Sequence, residues 1–309
     1  MTLLDRAIVR ALPVVPKPVV QAISSRYIAG RRIEDACSVA AQLNEVGKMA
    51  TIDVLGEEID TAHEARAIRD SYLGALAAID LEGLDANISV KLSALGLELN
   101  GGVAARHLRT LVVEASERAN FVRIDMEDSA RTDQTLRIYR KLRHAGHENV
   151  GIVLQSYLRR TLDDIAGLGE LRPNVRLCKG IYVEPPEVAY QGYEEVRQNF
   201  VAALEALLDA GCYVGVATHD EVLIDAAERM VAARELGPEE YEFQMLLGVR
   251  ERRASELVSA GHRVRIYVPF GEEWYSYSLR RLQENPKVAG YIAADTIGRV
   301  LTLGGRSGR

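Results

Sequence analysis

Gly211-Cys-Tyr-Val-Gly-Val-Ala-Thr-His-Asp220 is one beat of the rhythm that decides the fold. A helix-length pattern over residues 191–210 runs into it and stops at Gly211, the residue type expected where a helix ends. A short β-prone run over 213–217 follows, then the polar triplet Thr218-His219-Asp220, then a second helical pattern over 220–236. The same unit recurs along the chain. Further β-prone runs lie at 50–56, 87–92, 121–126, 151–155, 175–179, 241–246 and 263–268. Helical patterns cover 61–79, 104–119 and 133–145 between them, and Gly146 and Gly261 stand at expected helix stops. Eight strands alternating with helices, with a repeat of about 30 residues, predict a (β/α)8 barrel of the TIM type, which takes roughly 250 residues. A doubly wound open sheet is the runner-up, disfavoured by the count of eight.

The segment before the rhythm, residues 1–45, reads as an N-terminal helical arm. It is interrupted by Pro13, Pro16 and Pro18 and carries Arg26, Arg31 and Arg32. Residues 46–309 then form the barrel. Of the 309 residues, 48% are hydrophobic and 27% charged, which is ordinary for a globular protein. The net charge of -6 gives no support for a nucleic-acid partner. Cys37, Cys178 and Cys212 are far apart and fit a reducing compartment. The sequence has no apolar run of the roughly 18 residues that a spanning helix needs. It also lacks a signal-peptide pattern, so a cytoplasmic location is expected, with peripheral membrane contact through the arm as a lesser alternative. No G-x-G-x-x-G, Walker, HExxH or G-x-S-x-G pattern occurs, and no metal site is expected.

Chemistry concentrates at the predicted strand ends, where a barrel carries its active site. Lys91, Asp125, Gln155 and Arg176 lie within or at the ends of apolar runs, where a charge or amide is costly unless paired. Lys179, Thr218, His219 and Tyr267 follow the same pattern. His219 is expected to be a hydrogen-bonding residue, while Asp128 and Asp220 stand where a helix N-cap is expected. After the last strand, Tyr277, Arg280, Arg281 and Glu284 fall at i, i+3, i+4 and i+7, one face of a helix that Asn285-Pro286 ends. Two adjacent guanidiniums can clamp a carboxylate. Alone, that face reads equally as a solvated helix with Arg280–Glu284 pairing. These residues point to a barrel enzyme with an anionic ligand and leave its chemistry open.

Six segments together resemble the proline dehydrogenase family. They are Ile88-Ser-Val-Lys-Leu-Ser-Ala-Leu95, Ile124-Asp-Met-Glu127, Arg176-Leu-Cys-Lys-Gly-Ile-Tyr182, Ala217-Thr-His219, Phe243-Gln-Met-Leu-Leu-Gly248 and Tyr277-Ser-Leu-Arg-Arg-Leu-Gln-Glu-Asn-Pro286. The resemblance implies an FAD-dependent barrel of the free-standing form, with a last helix over the barrel mouth. It implies oxidation of L-proline to Δ1-pyrroline-5-carboxylate, the first step of proline catabolism. A hydride would pass to flavin N5 and the electrons to a membrane quinone. By the same resemblance Arg280, Arg281 and Lys91 would hold the substrate carboxylate, and Glu284 would order them. Tyr267, Tyr277 and Leu246 would pack on the ring, and Asp125 would orient the catalytic cluster together with Arg176. Gln155, Arg176, Lys179, Gly180, Ile181, Thr218, His219 and the backbone at Met126 would hold FAD, with Arg176 tuning its potential. The family usually has Ala where this chain has Ile181, which bears on substrate range. A flavin barrel acting on another cyclic or N-alkyl amino acid, or a non-catalytic amino-acid-binding barrel, are the alternatives.

Overall fold

The structure is a computed structural model and describes residues 26–56, 59–275, 277 and 278. Eight parallel strands close on themselves in chain order, and β8 pairs with β1. The strands are β1 (Met49–Val54), β2 (Ala86–Val90), β3 (Val122–Ile124), β4 (Val150–Gln155), β5 (Asn174–Cys178), β6 (Tyr213–Ala217), β7 (Tyr241–Leu246) and β8 (Val264–Phe270). Every predicted strand is present. The third is shorter than the run 121–126 suggests: the strand ends at Ile124, and Asp125 keeps one ladder contact, its N–H to the Val90 carbonyl at 2.9 Å.

Helices fill the intervals: α1 (Ile33–Glu45), α2 (Ala62–Leu81), α3 (Gly101–Glu117), α4 (Ser129–His144), α5 (Thr161–Ala166), α6 (Tyr193–Asp209), α7 (Glu221–Ala233) and α8 (Glu251–Ser259). The short α5 is absent from the sequence reading, and α8 enters it only through its expected stop at Gly261. α2 starts on a capping box: Thr61 Oγ1 accepts the Glu64 N–H at 3.2 Å, and Glu64 accepts the Thr61 N–H at 2.9 Å. α6 stops two residues before Gly211, whose φ of +66° favours a residue without Cβ. α1 packs against β8 and β1.

Alternate strand residues divide two environments. Ile52, Ile88, Ile124, Ile152, Leu177, Val216, Phe243 and Ile266 are buried in the one large apolar core that strands and helices share. On six of the strands a neighbour in sequence is polar and turned to the lumen: Asp53, Ser89, Arg123, Arg176, Glu242, Gln244 and Arg265 are all buried. The hydrocarbon core is therefore the ring between barrel and helices, and the lumen is a column of hydrogen-bonded polar groups. Long side chains fit there because neighbouring strands supply glycine. A Cβ at Gly151 would collide with Arg123, and one at Gly215 with Gln244.

Candidate active site

Four strands bring charge to the C-terminal end of the lumen: Asp53 from β1, Lys91 after β2, Asp125 after β3 and Arg176 from β5. Arg176 is the hub. Its Nη1 donates to Asp125 Oδ1 at 2.6 Å and to Ser89 Oγ at 3.0 Å, and its Nε donates to Gln244 Oε1 at 2.5 Å. The guanidinium carbon stands 5.2 Å from the centroid of the Tyr267 ring. Tyr267 O–H donates to Asp125 Oδ2 at 2.9 Å, and Ser89 O–H to Asp125 Oδ1 at 2.8 Å. Lys91 Nζ lies 3.9 Å from Asp125 Oδ2 and closer, 3.2 Å, to Asp53 Oδ2.

These contacts set the charge states. Burial alone would raise the Asp125 carboxyl; Arg176, Lys91 and the hydrogen bonds from Ser89 and Tyr267 outweigh it and hold the group below its ordinary value. Burial, reinforced by Asp125 and Asp53, pushes the Tyr267 phenol well up, so it remains a protonated donor. Glu127 is raised by burial, although it accepts the Ser93 N–H at 3.0 Å. Asp125 is thus an ionised, fully engaged anchor, poorly suited to taking up a proton.

Beside this cluster, Gln155 Nε2 donates to the carbonyls of Met126 and Glu127, at 2.9 Å each. Its Oε1 is buried and has no hydrogen-bond partner among the described residues. Gly180 has φ +104°, and a Cβ there would collide with the Tyr157 ring, so only glycine fits. Ile181 is 45% exposed. Leu246 closes β7 half-buried, and its N–H donates to His219 Nε2 at 3.0 Å, the hydrogen-bonding role read from the sequence. That contact assigns the ring proton of His219 to Nδ1.

A second charged group stands on the rim. The Asp220 carboxylate accepts from Lys179 Nζ at 2.6 Å, Tyr193 O–H at 2.6 Å, and Arg197 Nε and Nη2 at 2.9 and 2.7 Å. Burial would raise this carboxyl, but the Arg197, Lys179 and Tyr193 contacts push it far below its ordinary value. The capping expected of Asp220 is therefore corrected: its side chain makes no cap bond, because two cations outbid the helix N–H groups, and Thr218 Oγ1 accepts the Asp220 N–H at 3.1 Å. Asp128 likewise makes no cap bond and pairs with Arg131 instead.

Tyr277 is buried against Ile28 and Leu55. Arg280, Arg281 and Glu284, with the helix expected over the mouth, lie outside the described residues. Sequence reading missed Asp53, Tyr72, Ser89 and Gln244. Asp53 and Gln244 carried the signal used for Asp125, a polar side chain inside an apolar run; Ser89 and Tyr72 carried none.

The family model for proline dehydrogenase matches residues 36–294. A proline dehydrogenase from Deinococcus radiodurans is 39% identical over 274 residues, covering 87% of this chain and 88% of its own length. Proline dehydrogenase 1 from Bacillus subtilis is 38% identical over 267 residues, covering 86% and 88%. Among solved structures, proline utilization A from Bdellovibrio bacteriovorus, inactivated by N-propargylglycine, superposes with a TM-score of 0.80 at 24% identity. That match covers 86% of this chain and only 33% of the longer protein, and it speaks for the fold alone.

Proposed function

We propose, for a chain that belongs to the proline dehydrogenase family and is an oxidoreductase acting on a CH–NH bond, that it oxidises L-proline to Δ1-pyrroline-5-carboxylate with FAD as its redox group. A membrane quinone, met by transient peripheral contact from the cytoplasmic side, is the proposed electron acceptor. The observation that carries the reading is the Lys91–Asp125–Arg176–Tyr267 cluster at the strand ends, where barrel enzymes do their chemistry.

The residues fit a flavin. Gln155 Oε1 is a buried acceptor left over after the amide has bonded two carbonyls, and a ring N–H would satisfy it. Gln155, Arg176, Lys179, Gly180, Ile181, Thr218, His219 and the Met126 backbone are the proposed holders. When bound, the flavin would supply a two-electron acceptor for the hydride on the ring carbon beside nitrogen. Lys91, with Arg280 and Arg281, would hold the substrate carboxylate, and Glu284 would order the arginines. Tyr267, Tyr277 and Leu246 would confine the ring, so the barrier falls chiefly through orientation. Asp125 fixes Arg176 and Tyr267 rather than taking a proton, and the amine proton is assigned to water. Residues 46–309 would make up this catalytic barrel and residues 1–45 an arm upon it.

Anaerobic titration of the purified protein tests the reading. A yellow protein with flavin absorbance, bleached by L-proline, is expected. A colourless protein that takes up no FAD and does not respond to proline would overturn it.

A further inference from the structure

One buried carboxylate beside the cluster has no part in the roles above. Asp53 of β1 has no solvent exposure, and its two oxygens lie 3.3 and 3.2 Å from Lys91 Nζ. Its Oδ1 also accepts the Tyr72 O–H of α2 at 3.0 Å. Tyr72 is itself fully buried, and burial, then the charge of Asp53, drives its phenol well above the ordinary value. The hydroxyl therefore stays a donor, and it fixes the carboxylate from the helix side.

An ionised carboxylate with no water around it is costly unless it is paired. Among the described residues the cation against it is Lys91, and the relation works in both directions. A lysine ammonium is a point charge on four rotatable carbons, so something must choose its position. Among the described residues two carboxylates flank it: Asp53 at 3.2 Å and Asp125 at 3.9 Å. If Asp125 took the ammonium, Lys91 would sit against the oxygen that Tyr267 occupies and would crowd the Arg176 pair.

We infer that Asp53, held by Tyr72, is the positioning residue of Lys91: it draws the ammonium off Asp125 and presents it to the carboxylate of the substrate. The inference rests on the proposed function, because it takes Lys91 as a carboxylate contact. It assigns Asp53 no contact with substrate or flavin. Its mark is therefore a loss confined to ligands that bear a carboxylate.

The test uses the flavin-loaded enzyme and two ligands, L-proline as substrate and pyrrolidine, the same ring without the carboxylate, as competitor. Asp53→Asn keeps the shape and the acceptor for Tyr72 while removing the charge. The KM for proline should rise about tenfold, the range of one charge-assisted hydrogen bond, with kcat changed about twofold or less and pyrrolidine inhibition unmoved. Tyr72→Phe should shift the proline KM in the same direction by a few fold, and it carries the comparison if Asp53→Asn fails to fold. An unchanged KM, or equal losses for proline and pyrrolidine, overturns the inference. Wild-type enzyme in the same assay separates the two failures: if proline leaves its flavin oxidised, the functional reading falls and takes this inference with it. If the wild type responds and the variants match it, only the role of Asp53 falls.

Discussion

At the N-terminal end of the lumen, Arg265 Nε lies 2.9 and 3.0 Å from the two oxygens of Glu242, and its Nη1 donates to the Ala50 carbonyl at 2.8 Å. Arg123 at the same end donates Nη1 to the carbonyls of Ile152 and Asn174, at 3.0 and 2.6 Å. At the C-terminal end, Arg176 donates among the described residues to side chains only: Asp125, Ser89 and Gln244. Each lower arginine thus ties strand carbonyls as well as a side chain, joining β7, β8 and β1 on one side and β3, β4 and β5 on the other. The upper network binds side chain to side chain across the mouth and leaves the strand carbonyls to their ladders. Charge is buried at both ends, but below it fixes where strands lie and above it fixes where functional groups lie. Gln244 joins the two, accepting from Arg176 and donating to Glu242 at 2.5 Å.

The contrast can be broken by substitution. Glu242→Gln leaves Arg265 buried without its carboxylate and should cost about 3–5 kcal/mol of stability, read by chemical denaturation. Flavin-based turnover of the molecules that remain folded should change far less. If turnover collapses while stability holds, the division between the ends is wrong. Asp125→Asn should do the reverse, lowering kcat/KM on the order of 10²-fold through misplaced Arg176 and Tyr267, with a smaller stability loss than Glu242→Gln. The rim offers a third case. Asp220 is depressed below its unfolded value of 3.8, so its stabilisation is present above about pH 4 and fades as pH falls through the lower folded value. Asp220→Asn should therefore be less stable than wild type at neutral pH and approach it in acid; parallel stability curves from pH 7 to pH 2 would count against this. The smallest effect belongs to Ile181→Ala. With 45% of the residue exposed, the proline KM should move by a few fold at most. A KM that stays fixed removes Ile181 from the pocket.

How far the sequence could be read follows from the same physics. The strands were legible because each is a short apolar run set between helix-length patterns and turn residues. Helix α5, of 6 residues, is too short for a 3.6-residue period to stand out. Lys91, Asp125, Gln155 and Arg176 were legible because a charge or amide inside an apolar run must be paid for by a partner. Asp53 and Gln244 sent that signal too, but an acid and an amide in otherwise unremarkable strands did not stand out from helix-side polarity. The capping expected of Asp220 failed for a different reason. Local propensity saw the helix that follows, whereas Arg197, which wins the carboxylate, lies 23 residues back on α6. Partners chosen by tertiary packing leave no local trace.

Strand β8 carries a consequence for the order of folding. It delivers Arg265 to Glu242 and Tyr267 to Asp125, and with its docking the ladder closes on β1. A chain with seven strands in place would hold two buried carboxylates short of a partner, an uphill state that gains little before the last strand arrives. Closure should then be a single late event. The stabilisation from Arg265 would be missing from the folding transition state and would appear almost wholly in the unfolding rate. On that account the polar lumen acts as a latch: it does little to hasten assembly, and it makes the assembled barrel slow to open.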